Sequence, residues 1–142
     1  AILYQRKYDR LAQYDAISTN GNAPLAALAG LCCLELVEAD RLRIDRLGRY
    51  YAGRLEELPG ASAGRVTAIH GKGLISGVKF RHVQDALEFH RRALDRGLWV
   101  RVHAYHQGHS TVLTKLALAA NEQICDFIVD TFQLILQEMI RG

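Results

Sequence analysis

The chain has 142 residues, 49% of them hydrophobic, and a formal net charge of +3. This length is typical of one domain with its own core, and the uncharged run over residues 23–34 is shorter than the roughly 20 apolar residues that a membrane-spanning helix needs. The arginines and lysines are scattered along the chain, so the charge indicates neither a nucleic-acid partner nor a membrane surface.

The cysteines do not form a recognisable pairing motif. Cys32 and Cys33 are adjacent and Cys125 stands alone. An odd number of cysteines without a C-x-x-C spacing is typical of reduced thiols, so we expect no disulfide, no metal site and a cytoplasmic location. The first residues also lack the apolar core of a signal peptide. Because the chain begins at Ala1 and not at Met, we expect it to be a fragment of a longer protein.

The stretch 18–34 predicts a turn followed by an unusual helix. Asn20, Gly21 and Asn22 tolerate positive φ, and Pro24 suits the first position of a helix because its missing N–H would have no partner there. No residue between Ala23 and Leu34 is charged, so this helix is apolar on every side and should be enclosed. We therefore expect partners for it outside the chain.

Helical periodicity predicts two further elements in the first half of the chain. Residues 1–17 carry an apolar stripe that favours a short helix, and a second helix should begin after Asp40 as its N-cap and end at Pro59-Gly60. The arginines of the second helix alternate with acidic residues, which is typical of a solvated face and not of a nucleic-acid interface.

Alternation of side chains predicts the strands. Residues 65–69 and 74–80 should form a strand pair around the turn Gly71-Lys72-Gly73, with Leu74, Ser76, Val78 and Phe80 on one face. The turn lacks the G-x-x-x-x-G-K-[ST] spacing of a phosphate loop and leads into a strand, so we expect no phosphate there.

The second half of the chain should alternate helix and strand. A helix from Val83 should end before Gly97 as its C′ residue. Its apolar face should consist of Val83, Ala86, Leu87, His90, Ala93 and Leu94, with His90 as a packing residue. Strands follow at 98–102 and 111–116, and a last helix at 121–140 should be capped by Asn121. The buried stripe of this helix should consist of Ile124, Phe127, Ile128, Thr131, Phe132, Ile135 and Met139.

The loop between the last two strands contains the most metal-like spacing in the chain. His103, His106 and His109 are three residues apart, and three imidazoles can converge on zinc if a loop curls. No carboxylate or thiol is near them in the sequence, and a polar loop is an ordinary place for histidine. We therefore predict no metal site here.

The order of these elements predicts the fold class. Helix, helix, strand, strand, helix, strand, strand, helix indicates an α+β fold with a small, mostly antiparallel sheet, helices packed mainly on one face, and a long apolar helix in front.

Several segments resemble one enzyme family. Ser18-Thr19, the Gly/Asn-rich turn, Pro24-Leu25-Ala26 and the small-residue helix ending at residues 34–38 are similar to the start of the C-terminal small domain of class III aminotransferases, the ornithine, acetylornithine and 4-aminobutyrate type. Residues 70–78 (HGKGLISGV) resemble the family's Arg-Gly-x-Gly-Leu-x-x-Gly turn, and residues 95–101 (DRGLWVR) resemble a later strand. The resemblance covers residues 15 to 140, in the family's order.

The resemblance implies a fragment of a pyridoxal-phosphate enzyme. Residues 1–22 would be the segment that leads in from a missing large domain, and residues 23–142 would be the small domain. Thr19 falls on the position that contacts the cofactor phosphate across a homodimer interface, with Ser18 beside it. The catalytic lysine would belong to the large domain, so the fragment alone should be inactive and should not bind the cofactor.

The sequence departs from the family at positions that bear on substrate recognition. The family's Arg before Gly-x-Gly-Leu is His70, its Asn before Pro is Ala23, and its Arg before Pro-Pro-Leu is replaced within residues 114–118 (TKLAL). The resemblance implies small-molecule amine and oxo substrates, and these departures leave the donor and the acceptor open.

Three function classes are compatible with these patterns. The first is the C-terminal part of such an aminotransferase, acting with its homodimer partner and large domain. The second is a stand-alone α+β regulatory module that binds a small metabolite. The third, a nucleic-acid module, is disfavoured because no strand carries the paired aromatic residues of a base-stacking surface.

Overall fold

The computed structural model describes residues 23–104, 106 and 109–141. The chain divides into two compact units, residues 1–39 and 40–142. The predicted helix in residues 1–17 lies outside the described residues. Among the described helices, none is long and apolar enough to cross a membrane.

The first described helix, α1, spans Pro24–Ala39 and begins where the turn and proline predicted. None of its residues is buried, and Leu25, Leu31 and Leu36 are 79%, 59% and 70% exposed. A helix is therefore present at the predicted residues, whereas its enclosure stays a prediction about partners outside the described residues.

The unit 40–142 has two layers, one of helices and one of strands. Its elements are α2 (Arg41–Leu55), α3 (Leu58–Ala61), β1 (Val66–Lys72), β2 (Ile75–Phe80), α4 (Val83–Asp95), β3 (Arg101–His103), β4 (Thr111–Lys115) and α5 (Glu122–Arg141). The strands form one sheet in the order β1-β2-β4-β3, and every neighbouring pair is antiparallel. The predicted α+β class is confirmed.

The core lies between this sheet and the helices. The side chains of Ser76, Val78 and Phe80 in β2 are buried as the alternation predicted, and so are Val112 and Thr114 opposite them in β4. The ring of Phe89 on α4 packs against Phe80 and Phe132, with ring centroids 5.1 and 5.0 Å apart. Aromatic contacts of this kind join the sheet to α4 and α5.

Local signals in the sequence explain where several elements end. Gly97 has a φ of +77° and its N–H donates to the carbonyl of Leu94 at 2.9 Å, which closes α4 as predicted. The side-chain oxygen of Asn121 accepts a hydrogen bond of 3.0 Å from the N–H of Ile124, which confirms the predicted cap of α5.

Other boundaries differ from the prediction. Pro59 and Gly60 do not end α2, which stops at Leu55; they lie inside the single turn of α3, where proline suits an early helical position. Asp40 occupies the N-cap position of α2 but makes no capping hydrogen bond with its side chain, which instead pairs with Arg43 at 2.6 Å. The strand predicted at 98–102 is shorter, because only Arg101–His103 pairs with β4.

Ion pairs between helices hold the helical layer together. Arg54 of α2 contacts Asp126 and, at 2.8 Å, Asp130 of α5. Arg96, just after α4, lies 2.6 Å from Glu138 of α5. These pairs join helices that are distant in sequence, although their exposure limits what each adds to stability.

Candidate functional site

A groove of about 330 Å³ opens beside the sheet in the unit 40–142. One wall is the segment Leu98–Val100, which leads into β3, and the opposite wall is the end of β4 with the segment that follows it. Ile124 and Ile128 of α5 close a third side, and Tyr51 of α2 reaches the floor. A concave and mostly apolar hollow of this size is typical of a small-ligand site.

The floor of the groove is held by two hydroxyl groups. The Tyr51 hydroxyl donates a hydrogen bond of 2.8 Å to Oγ1 of Thr114, and the Thr114 hydroxyl donates in turn to the carbonyl of Ser76 at 3.4 Å. Burial raises the pKa of Tyr51 to about 12, while the hydrogen bond with Thr114 opposes the rise. Tyr51 is therefore neutral at physiological pH and positions Thr114 without carrying charge.

Arg43 fixes the segment that forms the second wall. Its guanidinium donates to the carbonyl of Ala120 at 2.9 Å and to that of Leu118 at 2.5 Å. Asp40 contacts the same guanidinium and holds its orientation. Two charge-assisted bonds from one side chain give residues 116–120 a defined path without regular secondary structure.

The rim of the groove combines an exposed aromatic ring and one cation. Trp99 is 91% exposed, the most exposed of the large hydrophobic side chains that the structure describes. Lys115 is exposed at the end of β4 on the opposite side. A molecule that enters the groove therefore meets the flat apolar ring of Trp99 and the positive charge of Lys115 at the rim.

The described lining of the groove contains few groups suited to acid-base catalysis. In the described part of the chain, no carboxylate, imidazole or thiol lines it. The hydroxyls at its floor are engaged with each other, and Tyr51 keeps its proton far above neutral pH. General acid-base catalysis needs a group that titrates near the working pH, and neither floor hydroxyl is such a group.

The residues predicted to touch the cofactor, Ser18 and Thr19, lie outside the described residues. His70 is exposed on β1 opposite Gly77. Ala23 comes directly before α1. The groove brings together Thr114 and Lys115 from the segment where the family's arginine is replaced.

The histidine loop brings two of its three imidazoles together. The rings of His106 and His109 meet edge to face with centroids 5.2 Å apart. Within residues 23–104, 106 and 109–141, no group of three or more His, Cys, Asp or Glu side chains is arranged to hold a metal ion.

Solved structures share this fold with the chain. A lysine aminotransferase from M. tuberculosis is 25% identical with a TM-score of 0.63, over 73% of this chain and 23% of that protein. An aminotransferase from Bacillus anthracis is 20% identical with a TM-score of 0.72, over 88% of this chain and 30% of that protein. A phospholyase from Arthrobacter, solved with phosphoethanolamine, is 22% identical with a TM-score of 0.69, over 80% and 28%.

This is the fold of the aminotransferase small domain. The chain spans less than a third of the length of each of these solved proteins. No protein-family model and no curated protein matches its sequence significantly. The relationship is therefore visible in the three-dimensional arrangement of the small domain, and it confirms the resemblance drawn from the short motifs.

The sequence did not reveal the groove of the small domain. Tyr51 lies at helical spacing from Leu47 and Leu55, and Thr114 lies within the strand predicted at 111–116, but neither pattern shows that the two hydroxyls meet. The sequence contained one indication of this hydrogen bond, which is a threonine at a core-facing strand position. A buried hydroxyl group needs a hydrogen-bond partner.

Proposed function

We propose that the chain is the C-terminal part of a class III, pyridoxal-phosphate-dependent aminotransferase that moves an amino group between an amine or amino acid and an oxo acid or aldehyde. The observation that supports this most is the small-domain fold, shared with a lysine aminotransferase over 73% of the chain although the chain spans only 23% of that protein. In this proposal the parent enzyme is a cytoplasmic homodimer, residues 1–22 lead in from its large domain, and residues 23–142 form its small domain.

In this proposal none of the lysines in the described residues carries pyridoxal phosphate. Lys72 and Lys115 are exposed at strand ends, and Lys79 is half-buried in the middle of a strand. A lysine that carries this cofactor needs an enclosed pocket that also binds the pyridine ring and the phosphate, and Lys115 lies at the open rim of the groove. The cofactor would be held by the large domain, with the phosphate contacted by Thr19 and its neighbour Ser18.

The role of this chain would be to complete and cover the site. The apolar walls around Leu98, Leu116 and Ile124 exclude water from whatever they face. The rim at Trp99 and Lys115 would meet the part of the substrate that points away from the reacting carbon. Neither role requires a catalytic group in the fragment.

The test compares the chain with a longer parent protein that includes the large domain. After incubation with pyridoxal phosphate, borohydride trapping and peptide mapping should give no single stoichiometric lysine adduct in the chain alone, and an amino-transfer assay should show no turnover. The longer protein should bind the cofactor tightly. Thr19→Ala in it should weaken cofactor binding by about 1.5–3 kcal/mol through loss of one hydrogen bond to a charged group.

One result would overturn this proposal. A single adduct at Lys7, Lys72, Lys79 or Lys115 with turnover in the chain alone would show a complete active site in the fragment.

A second candidate function is a regulatory module that binds a small metabolite. It is favoured by one observation: every residue that lines the groove belongs to the unit 40–142. This function predicts that the chain alone binds a small molecule in the groove, with a change in the fluorescence of Trp99, the one tryptophan of the chain. If binding appears only after the large domain is added, the first proposal is favoured.

A further inference from the structure

The exposed ring of Trp99 belongs to the lining of two hollows in the unit 40–142. Trp99 and Val100 line both the groove described above and a neighbouring hollow of about 480 Å³. Each hollow also has one fully charged side chain in its lining, which is Lys115 in the groove and Arg101 in the neighbouring hollow. The aromatic ring is therefore accompanied by two cations.

The strand register brings these two cations close together. Arg101 pairs with Leu113 across β3 and β4. Because Lys115 follows Leu113 by two residues on β4, Arg101 and Lys115 are diagonal neighbours on one face of the sheet. Such neighbours have Cβ atoms about 7–8 Å apart, and both side chains are long and exposed. One carboxylate can therefore reach both cations.

Neither cation is neutralised by a carboxylate of the described residues. Residues 96–121 contain no Asp and no Glu. In the part of the chain that the structure describes, Lys115 and Arg101 form no ion pair. Arg96, by contrast, pairs with Glu138 at 2.6 Å. Two neighbouring positive charges without a counter-charge attract an anion and repel a cation.

The interior of the groove suits an apolar group. Leu98, Leu116 and Ile128 line it, and the hydroxyls of Tyr51 and Thr114 at the floor are engaged with each other. A polar group placed there would lose its hydrogen bonds to water without finding a free side-chain partner in the described lining. The volume of about 330 Å³ is at the small end of the usual range of about 300–1,000 Å³. An aromatic ring on a short chain is of suitable size.

We propose that the groove binds a carboxylic acid with an apolar body. The apolar body lies inside the groove against the flat ring of Trp99, and the carboxylate lies at the rim between Lys115 and Arg101. This inference rests on the proposed role of the groove in binding a small molecule, and it adds the chemical class of that molecule.

The experiment compares ligands of one shape and different charge. Phenylbutyrate, phenylbutanol and phenylbutylamine are titrated into the protein at about 0.15 M salt, and binding is followed by the fluorescence of Trp99, the one tryptophan of the chain. The acid should bind about tenfold or more tightly than the amine, with the alcohol between them. Acetate, which has the charge without the apolar body, should bind at least about tenfold more weakly than phenylbutyrate.

Variants of the rim test the position of the carboxylate. Lys115→Gln should weaken binding of phenylbutyrate about fivefold or more and change binding of phenylbutanol by less than twofold, whereas Lys115→Arg should keep the preference for the acid. The matched control is Lys72→Gln, which removes the same charge at an exposed position two strands away. It should change the affinity by less than about twofold, since salt screens charges beyond about 8 Å. Equal losses in Lys115→Gln and Lys72→Gln would overturn the proposal.

A charge placed in the wall tests the position of the apolar body. Ile124 lines the groove and is 44% exposed, so Ile124→Glu should weaken binding of phenylbutyrate about tenfold and strengthen binding of phenylbutylamine. Phe127→Glu is the control, because Phe127 is 59% exposed on the same helix and does not line the groove. Thermal unfolding of both variants establishes that they are folded. An unchanged preference in folded Ile124→Glu would contradict the proposal.

The titrations use the full chain and the longer parent protein, because the two candidate functions differ in whether the large domain is needed for binding. A preference for the acid in either protein supports the inference, even if the amino-transfer assay fails and refutes the proposed aminotransferase. If neither protein prefers the acid over the amine, the inference is wrong whatever that assay shows. Tighter binding of adenosine monophosphate than of phenylbutyrate would indicate a nucleotide site, which also contradicts it.

Discussion

A Cβ atom on Gly48 of α2 would lie only 2.7 Å from the Cα of Gly73, the residue in the turn between β1 and β2. Backbone therefore meets backbone where the helix crosses the sheet. Gly73 has a φ of +65°, which other residues rarely adopt. The two glycines together let α2 approach closely enough for Tyr51, one turn further along, to reach Thr114.

This contact predicts that one methyl group added to α2 changes the stability of the fold differently at residue 48 and at residue 53. Gly48→Ala should destabilise the fold by about 1–3 kcal/mol, because the backbone on both sides must shift to admit the methyl. Gly53→Ala is the control: it lies on the same helix with no atom within 4 Å of its added Cβ, and it should stabilise by up to about 1 kcal/mol through helix propensity. Urea unfolding of both variants measures the difference. Equal effects would show that the helix is not pressed against the turn.

Tyr51 predicts a loss of stability at high pH. Its pKa is raised to about 12 in the folded chain from about 10 in the unfolded chain, so the unfolded chain loses the proton first as pH rises. The free energy of unfolding should then fall between pH 10 and 12, by about 1.4 kcal/mol per unit of pKa difference. Tyr51→Phe should be less stable at pH 7 by about 1 kcal/mol.

The comparison of the two proteins isolates this effect from other groups that titrate at high pH. The stability gap between Tyr51→Phe and the unchanged chain should shrink between pH 10 and 12, because only the unchanged chain has Tyr51 to ionise. A gap that stays constant over this range would mean that the Tyr51 hydroxyl is not held protonated by burial.

Arg43 should control the order of the second groove wall. Arg43→Met removes the donors to the carbonyls of Leu118 and Ala120 while it keeps much of the aliphatic stem. We expect faster hydrogen exchange at the amide of Ala120, which donates to Ala117 at 3.0 Å, and a loss of stability of about 1–3 kcal/mol. Arg46→Met, at an exposed position one turn along the helix, should change neither quantity. Unchanged exchange in Arg43→Met would show that the wall keeps its path without the arginine.

The exposed leucines of α1 predict self-association of the chain. Leu28 is 58% exposed on a helix with apolar residues on every side, and large exposed apolar surfaces favour association. Leu28→Asp should raise the dissociation constant of the associated chain about tenfold or more, since a charge is costly to bury. Leu42→Asp, 77% exposed on α2, is the control with little expected effect. Light scattering on a concentration series measures both, and a chain that is monomeric throughout would contradict the prediction.

The helices were the elements that sequence predicted best, because their ends carry local chemical signals. Pro24, Gly97 and Asn121 each mark a helix end by their own conformational or hydrogen-bonding properties, and all three are found there. The prediction of a terminus at Pro59 was wrong because proline is equally suited to the first turn of a new helix, here α3.

Periodicity was less reliable for the buried faces of helices. On α4 the predicted stripe included Leu87 and Leu94 but not Phe89, whereas the structure buries Phe89 and exposes the two leucines by 45% and 39%. On α5, Ile124 and Phe127 were predicted to face the core and are 44% and 59% exposed. Which side of an apolar helix is buried depends on the neighbours it meets, and the pattern of one helix does not contain them.

The sequence by itself determined the helix ends, the alternation of Ser76, Val78 and Phe80 along β2, the α+β class and, through short motifs in a fixed order, the resemblance to aminotransferases. These are properties of residues close together in the chain. Only the tertiary structure decided that β4 inserts between β2 and β3 and that Tyr51 meets Thr114. It also decided that the lysine, arginine and histidine residues of the four strands lie on one face of the sheet. Each of these depends on contacts between residues far apart in sequence, whose free energy is set by packing and strand register and not by local propensity.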